Sequence, residues 1–291
     1  MKKLYYLSFS LLFLTTVCFA EVSKKEKKAL IDLYETTNGK HWVKKWDLNA
    51  PVSKWHGVKV ENDKVVEINL FHNNLMGSLS SQIGDLENLR VLNLAFNSIT
   101  GKLPVEIENL SNLKILKLEM NRLNGELPEG IGSLLQLEEL SAFNNFFTGE
   151  IPSTVGNLKG LKVLNLSSNE FIGDIPSSLG ALSKLETLGL FENRLEGAIP
   201  RDMGNLSNLK ELVLANNRLI GDIPNEFSQL ASLEVFQIQN NNFSSFKALE
   251  LLETKEYLVF DYDKEDDKIE FKDINFSRTR MADTKFEDIE E

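Results

Sequence analysis

An asparagine recurs every 24 residues through the middle of this chain, at Asn73, Asn97, Asn121, Asn145, Asn169, Asn193, Asn217 and Asn241, with no slip in register. A glycine stands four residues after each of the first seven, from Gly77 to Gly221. A proline follows three further on, at Pro104, Pro128, Pro152, Pro176, Pro200 and Pro224, with Ser80 in its place in the first unit. Self-similarity at such a period means that each unit is one supersecondary element, burying its apolar face only against its neighbours. The chain is therefore constrained to a linear stack. A bundle of long helices is excluded, since glycine and proline in every unit would break any helix longer than about two turns.

Each repeated letter has a physical task, seen in the unit Leu161 to Leu185, LKVLNLSSNEFIGDIPSSLGALSKL. In Leu164-Asn165-Leu166 the leucines point to one side and the residue between them to the other, which is strand alternation. At Asn169 the chain must leave the strand, and a buried amide there can bond backbone groups that the turn leaves open. Stacked unit over unit, these amides should form a continuous ladder. Gly173 permits a backbone conformation closed to other residues, and Pro176 fixes φ on the return path. With its letters in these places the chain resembles the plant-type class of leucine-rich repeat proteins, in particular the ectodomains of plant leucine-rich repeat receptor kinases. The resemblance implies an α/β solenoid: a horseshoe with a parallel β-sheet on the concave face and short 3-10 or irregular segments on the convex face. There are two departures. Those ectodomains usually carry paired cysteines in their caps, whereas the sole cysteine here is Cys18, which points to a bacterial source. No kinase domain follows the repeats.

A chain of 291 residues is long for one compact core, but a solenoid escapes that limit because its core is linear. The net charge of −11 argues against nucleic acid and against an anionic membrane surface as partners. Residues 1–20 read as a secretory signal peptide: Lys2 and Lys3 open it, Leu4 to Phe19 is mostly apolar, and Cys18-Phe19-Ala20 supplies a cleavage site. That run is too short for a spanning helix. The mature protein is thus expected to begin at Glu21, to be secreted, periplasmic or displayed at the cell surface, and to keep no stable membrane insertion. Residues 21–65 read as an amino-terminal helical cap, in which Ala29, Leu30, Leu33 and Tyr34 share a helical face that Asn38-Gly39 ends. The string ALIDLYETTNGKHW…W…WHGV resembles the module that precedes such repeats in many secreted bacterial proteins. An end repeat exposes its hydrophobic layer, so Trp42, Trp46 and Trp55 are expected to form a lid. His41, His56 and His72 have no carboxylate at metal-ligand spacing, and no metal or other cofactor is expected.

The repeats proper are expected over residues 66–243, with a first strand at Val66 to Leu70, then a capping repeat over 244–262 and an acidic tail over 263–291. Phe246, Leu249 and Leu252 have helical spacing, and counting 24 from Phe236 and Ile238 lands on Phe260 and Tyr262, so Tyr257 to Tyr262 should add a ninth strand. Residues 261–291 hold 12 acidic and 6 basic side chains, a net of −6, whereas residues 21–56 carry a net of +3. The run Asp261, Asp263, Glu265, Asp267 lacks the glycine and the glutamate of an EF-hand loop, and reads as solvated charge. Catalysis has no support: there is no glycine-rich phosphate loop and no G-x-S-x-G elbow with plausible partners.

Residues flanking the strand leucines should face outwards on the concave side, in columns along a sheet spanning roughly 38 Å. One column reads Phe71, Ala95, Glu119, Phe143, Ser167, Phe191, Ala215, Gln239, with Phe96 at its edge; Lys117 and Glu139 lie in the neighbouring columns. Rigid rings among polar side chains suit protein recognition. The candidate binding residues are therefore Phe71, Phe96, Lys117, Glu119, Glu139, Phe143 and Phe191. The expected function is a non-enzymatic recognition module binding a protein partner on the concave face. A carbohydrate-binding surface protein and a structural adhesin or spacer are the competing readings.

Overall fold

In the computed structural model the repeats build a leucine-rich repeat solenoid around one long sheet; the structure describes residues 22–246, 248, 249 and 257–262. The signal peptide expected at 1–20, the acidic tail expected at 263–291 and most of the helical pattern after Phe246 lie outside the described residues. The sheet has ten strands. Nine run parallel, from Lys64–Asn69 through Val91–Asn93 and its successors to Val259–Asp261. Their register follows the repeat, so that Leu164 is paired with Leu140 on one side and Leu188 on the other. The ninth falls where the count placed it, with Phe236 opposite Phe260.

The tenth strand was not foreseen. Val58–Glu61 pairs antiparallel with Lys64–Asn69 through a hairpin turned at Asn62 and Asp63, whose φ values are 48° and 61°. It covers the edge that the first parallel strand would otherwise leave open. That parallel strand also starts at Lys64 rather than Val66, because hairpin pairing extends it backwards.

The asparagine ladder is present, and it has a direction. Asn145 donates from Nδ2 to the carbonyls of Ala142 and Phe143 in its own unit (3.1 and 3.3 Å) and of Leu118 in the preceding one (3.0 Å). Its Oδ1 accepts the backbone N–H of Leu123, also in the preceding unit, at 3.0 Å. The same four partners recur at Asn121, Asn169, Asn193, Asn217 and Asn241. Every amide therefore reaches towards the amino terminus. At the start of the ladder no unit precedes Asn73, and its amide instead brackets the backbone of Lys44 in the cap, accepting its N–H at 2.7 Å and donating to its carbonyl at 3.2 Å.

After each asparagine the chain makes a second short strand, then a 3-10 turn. Gly173, in the middle of the short strand Ile172–Asp174, has φ 75°, a conformation strained for any residue with a Cβ. Pro176 stands at φ −61° as the N-cap of the turn Ser177–Ala181. In the first unit Ser80 takes the proline's place. Its hydroxyl accepts the N–H of Gln82 and donates to the Asp32 carboxylate of helix α1 (Lys24–Thr36), so this departure from the column helps dock the cap. The residue before each ladder asparagine is also left-handed, from His72 at φ 47° and Phe96 at 56° to Asn240 at 56°. No single residue type marks that column, so the sequence did not announce it.

Helix α1 opens with a capping box, in which the Ser23 hydroxyl accepts the Glu26 N–H and the Glu26 carboxylate returns to Ser23. That carboxylate also accepts the Val65 N–H at 3.2 Å, tying helix to sheet. The three tryptophans are buried and interlocked, Trp42 against Trp46 at 4.9 Å and Trp46 against Trp55 at 4.8 Å. Each indole N–H donates to a backbone carbonyl within the cap, at Thr37, His56 and Ala50 respectively. They form the expected lid over the first repeat.

Candidate ligand-binding face

Alternation along each parallel strand sends one set of side chains into the leucine core and the other to the opposite face. The second set lines up in columns because the strands pair without slip, as Lys117 does between Asn93 and Ser141. On this face the rings of Phe71 and Phe96 meet at 5.1 Å, and Phe71 is 39% exposed. Phe143 and Phe191 are half-buried and stand two units apart in the column, with Ser167 between them. Lys117 and Glu139 form an ion pair at 3.0 Å, so the lysine charge is balanced within the protein.

Glu119 corrects the sequence reading. It lies in the predicted column but only 4% of it is accessible, so it is not an open charge. Alternation fixes which face a residue takes and says nothing of its height. The carboxyl is tucked down, bonding its own backbone N–H and the Ser141 hydroxyl, while Oε2 has no hydrogen-bond partner. Desolvation raises its pKa above the ordinary carboxylate value, against the opposing pull of those hydrogen bonds and of Lys117. The useful variant is Glu119→Gln. With the folded pKa above the unfolded one, the stability that Glu119 contributes is present below the unfolded pKa and lost as pH rises through the folded pKa. Glu119→Gln, which stays neutral, should therefore unfold at a higher temperature than the parent at pH 7, with the gap closing towards pH 4. A variant less stable at pH 7 would show that a cation neutralises this carboxylate.

Ala95, Ser141, Asn165, Ser167, Val213 and Ala215 are likewise buried, so the open surface is narrower than the columns suggested. Where strands begin, a further column escaped the sequence reading although the period would have found it: Arg90, Lys114, Glu138, Lys162, Glu186, Lys210, Glu234. From Lys114 onwards its signs alternate and pair along the stack, with Lys114 and Lys162 at 3.4 and 2.7 Å from Glu138 and Lys210 at 2.7 Å from Glu186. The Lys162 bond, then that of Lys114, holds the Glu138 carboxyl below the usual range. With four basic and three acidic side chains this rail carries a net charge of only +1 and offers a partner little net field. Among the described residues no group of three or more His, Cys, Asp or Glu side chains could hold a metal, and no helix is long and apolar enough to cross a membrane.

Models of known families match the same units. One described as a leucine-rich repeat region covers residues 68–167, and one for a single leucine-rich repeat covers 160–182 and 208–230. No curated protein matches the chain. Among solved structures, the ectodomain of the membrane receptor kinase GASSHO1/SCHENGEN3 from Arabidopsis thaliana is 32% identical, with a TM-score of 0.74 over 81% of this chain and 30% of that one. The ectodomain of the Arabidopsis receptor kinase HAESA is 30% identical, with a TM-score of 0.61 over 75% of this chain and 41% of that one. A leucine-rich repeat protein of Leptospira interrogans is 35% identical, with a TM-score of 0.57 over 66% of this chain and 47% of that one. The chain spans less than half the length of each of the three. Sheet, ladder and matched units together define a leucine-rich repeat protein. Within that class it resembles the ectodomains of plant receptor kinases.

Proposed function

We propose that the chain is a non-enzymatic recognition module that binds a protein or peptide partner on the face of its parallel sheet. The observation that carries this reading is the set of rings on that face, Phe71, Phe96, Phe143 and Phe191, none of which is buried in the leucine core. The GASSHO1/SCHENGEN3 ectodomain was solved with Casparian strip integrity factor 2 and that of HAESA with the peptide hormone IDA, which supports a polypeptide ligand. Phe143→Ala should weaken partner binding by about 2 kcal/mol, the scale of an interface hot spot, while leaving the melting temperature nearly unchanged. Affinity and thermal unfolding measured side by side decide it, using a partner captured by cross-linking from the cell surroundings. Lost stability would make Phe143 a packing residue, and unchanged affinity would move the site elsewhere.

The same reading includes export. Residues 1–20 act as a cleaved signal peptide, leaving a cap over 21–65, repeats over 66–243, a capping repeat over 244–262 and an acidic tail over 263–291. The sole cysteine falls in the removed segment, and this together with the Leptospira match supports a secreted protein of bacterial source. Protein recovered from outside the cytoplasm should have an intact mass that begins at Glu21. A mass that retains residues 1–20 would overturn the export reading.

A further inference from the structure

Where the cap meets the first parallel strand there is a cleft of about 440 Å³, lined by Lys44, His56 and Lys59 on the cap and hairpin side and by Glu67, Asn69 and Phe71 on the sheet. Its walls are fixed by the backbone. The Asn73 amide brackets Lys44 on both sides, as described above, and the Trp46 indole donates to the His56 carbonyl at 2.7 Å. Gly57 donates no side chain to the gap: it sits at φ 74°, and a Cβ there would lie 2.0 Å from the Asn69 carbonyl oxygen. Its own carbonyl accepts the Asn69 N–H at 2.7 Å. Hairpin and strand are thereby held in close contact at the floor of the cleft.

The charges in the cleft are unevenly satisfied. Lys59 is paired with Glu61 at 3.0 Å. Lys44 makes no ion pair among the described residues, Glu67 included, although it lies near enough to the His56 ring to depress the histidine's protonation; burial is the larger cause of that shift. In a protein of net charge −11, an unpaired ammonium beside an imidazole is thus set at the mouth of an aromatic shelf, where Phe71 and Phe96 meet at a tilt of 56°.

We propose that this cleft is a carboxylate-binding subsite, in which Lys44 and His56 receive the carboxylate of a peptide whose apolar side chain lies on Phe71 and Phe96. The inference rests on the recognition reading above and adds the chemistry of one end of the ligand. A carboxylate would supply the counter-charge that Lys44 lacks, and one of its oxygens could accept from the imidazole N–H. Charges facing His56 are Lys44 from the cap, Lys59 from the hairpin and Glu67 from the sheet. As pH falls His56 gains a proton, so a carboxylate that stays ionised should bind more tightly at pH 5.5 than at pH 7.5.

The test is a titration of the full mature chain with N-acetyl-phenylalanine and with its uncharged amide, followed through the imidazole resonances of His56 and His41. Asp or Glu side chains could present the same group as a chain terminus, so a third probe, N-acetyl-glutamyl-phenylalaninamide, separates the two sources. The expected result is a saturable shift at His56 with one or both carboxylates, none with the amide, and none at His41. Lys44→Gln should weaken the response at least fivefold, with the rest of the spectrum unchanged. Equal shifts from acid and amide, or none from either carboxylate, overturn the proposal. If the probes fail while a partner still depends on Phe143, the subsite falls and the recognition reading stands. If they bind while Phe143→Ala leaves partner affinity unchanged, the subsite stands and the site centred on Phe143 falls.

Discussion

Asn145→Ala is expected to lower the unfolding free energy by about 1–3 kcal/mol, read as an earlier urea midpoint at unchanged slope. The alanine would leave three carbonyls, at Leu118, Ala142 and Phe143, and the Leu123 N–H without their amide. Asn145 is buried, so water does not readily take over those bonds. A stack position near the end makes the comparison informative. Asn241 is the last of its column, yet its amide faces the preceding unit and makes the same four bonds, to Leu214, Ile238, Gln239 and the Leu219 N–H. The difference lies in exposure, since Asn241 is only half-buried. Asn241→Ala should therefore cost less than Asn145→Ala because water can solvate the opened groups, and it should still cost something. An Asn145 variant as stable as its parent would mean that the ladder adds nothing to the stack.

The direction of the ladder also explains the cap. Because each amide reaches backwards, the unit without a partner is the first, and Asn73 meets Lys44 there instead of another repeat. Ser80 adds a second tie to α1 through Asp32. These two contacts, together with the tryptophan lid, close the end of the solenoid that the repeat by itself would leave unsatisfied.

What the sequence made legible was whatever the period repeats. Leucine register, ladder asparagines, the left-handed glycine and the strand at Phe260 all follow from counting 24, because a solenoid places equal positions in equal surroundings. What occurs once was not legible. The strand Val58–Glu61 belongs to no unit, and its pairing with Lys64–Asn69 depends on a turn at Asn62-Asp63 that the surrounding polar residues disguised. Height within a column was also hidden. Phe71 and Glu119 share a column, yet one ring is open and the other side chain is folded under its neighbours. The cleft at Lys44 lies at the join between cap and repeat, where neither the period nor a local motif brings distant residues together.

Excising Asn121 to Asn144, one whole period, should leave a shorter solenoid that still unfolds cooperatively, whereas excising Asn121 to Gly132 should leave no cooperative fold. In the first variant Met120 is followed by Asn145, and the new junction needs a left-handed residue that Met120 already provides at φ 55°. The Asn145 amide would then meet the Leu94 carbonyl that Asn121 met before. Phe147 would replace Leu123 beside Ile99, one fully buried apolar side chain for another, though the larger ring makes the repacking imperfect. On the exposed rail Lys114 would face Lys162 once Glu138 is gone, a small cost between solvated charges. The loss is then mainly one interface between units, in keeping with nearest-neighbour stability. Removing 12 residues instead moves every later asparagine half a circuit from its column, so amides would face leucine positions and the core would receive polar residues. Circular dichroism and urea unfolding of both variants separate the outcomes: if the two unfold alike, register along the stack is not what holds the repeats together.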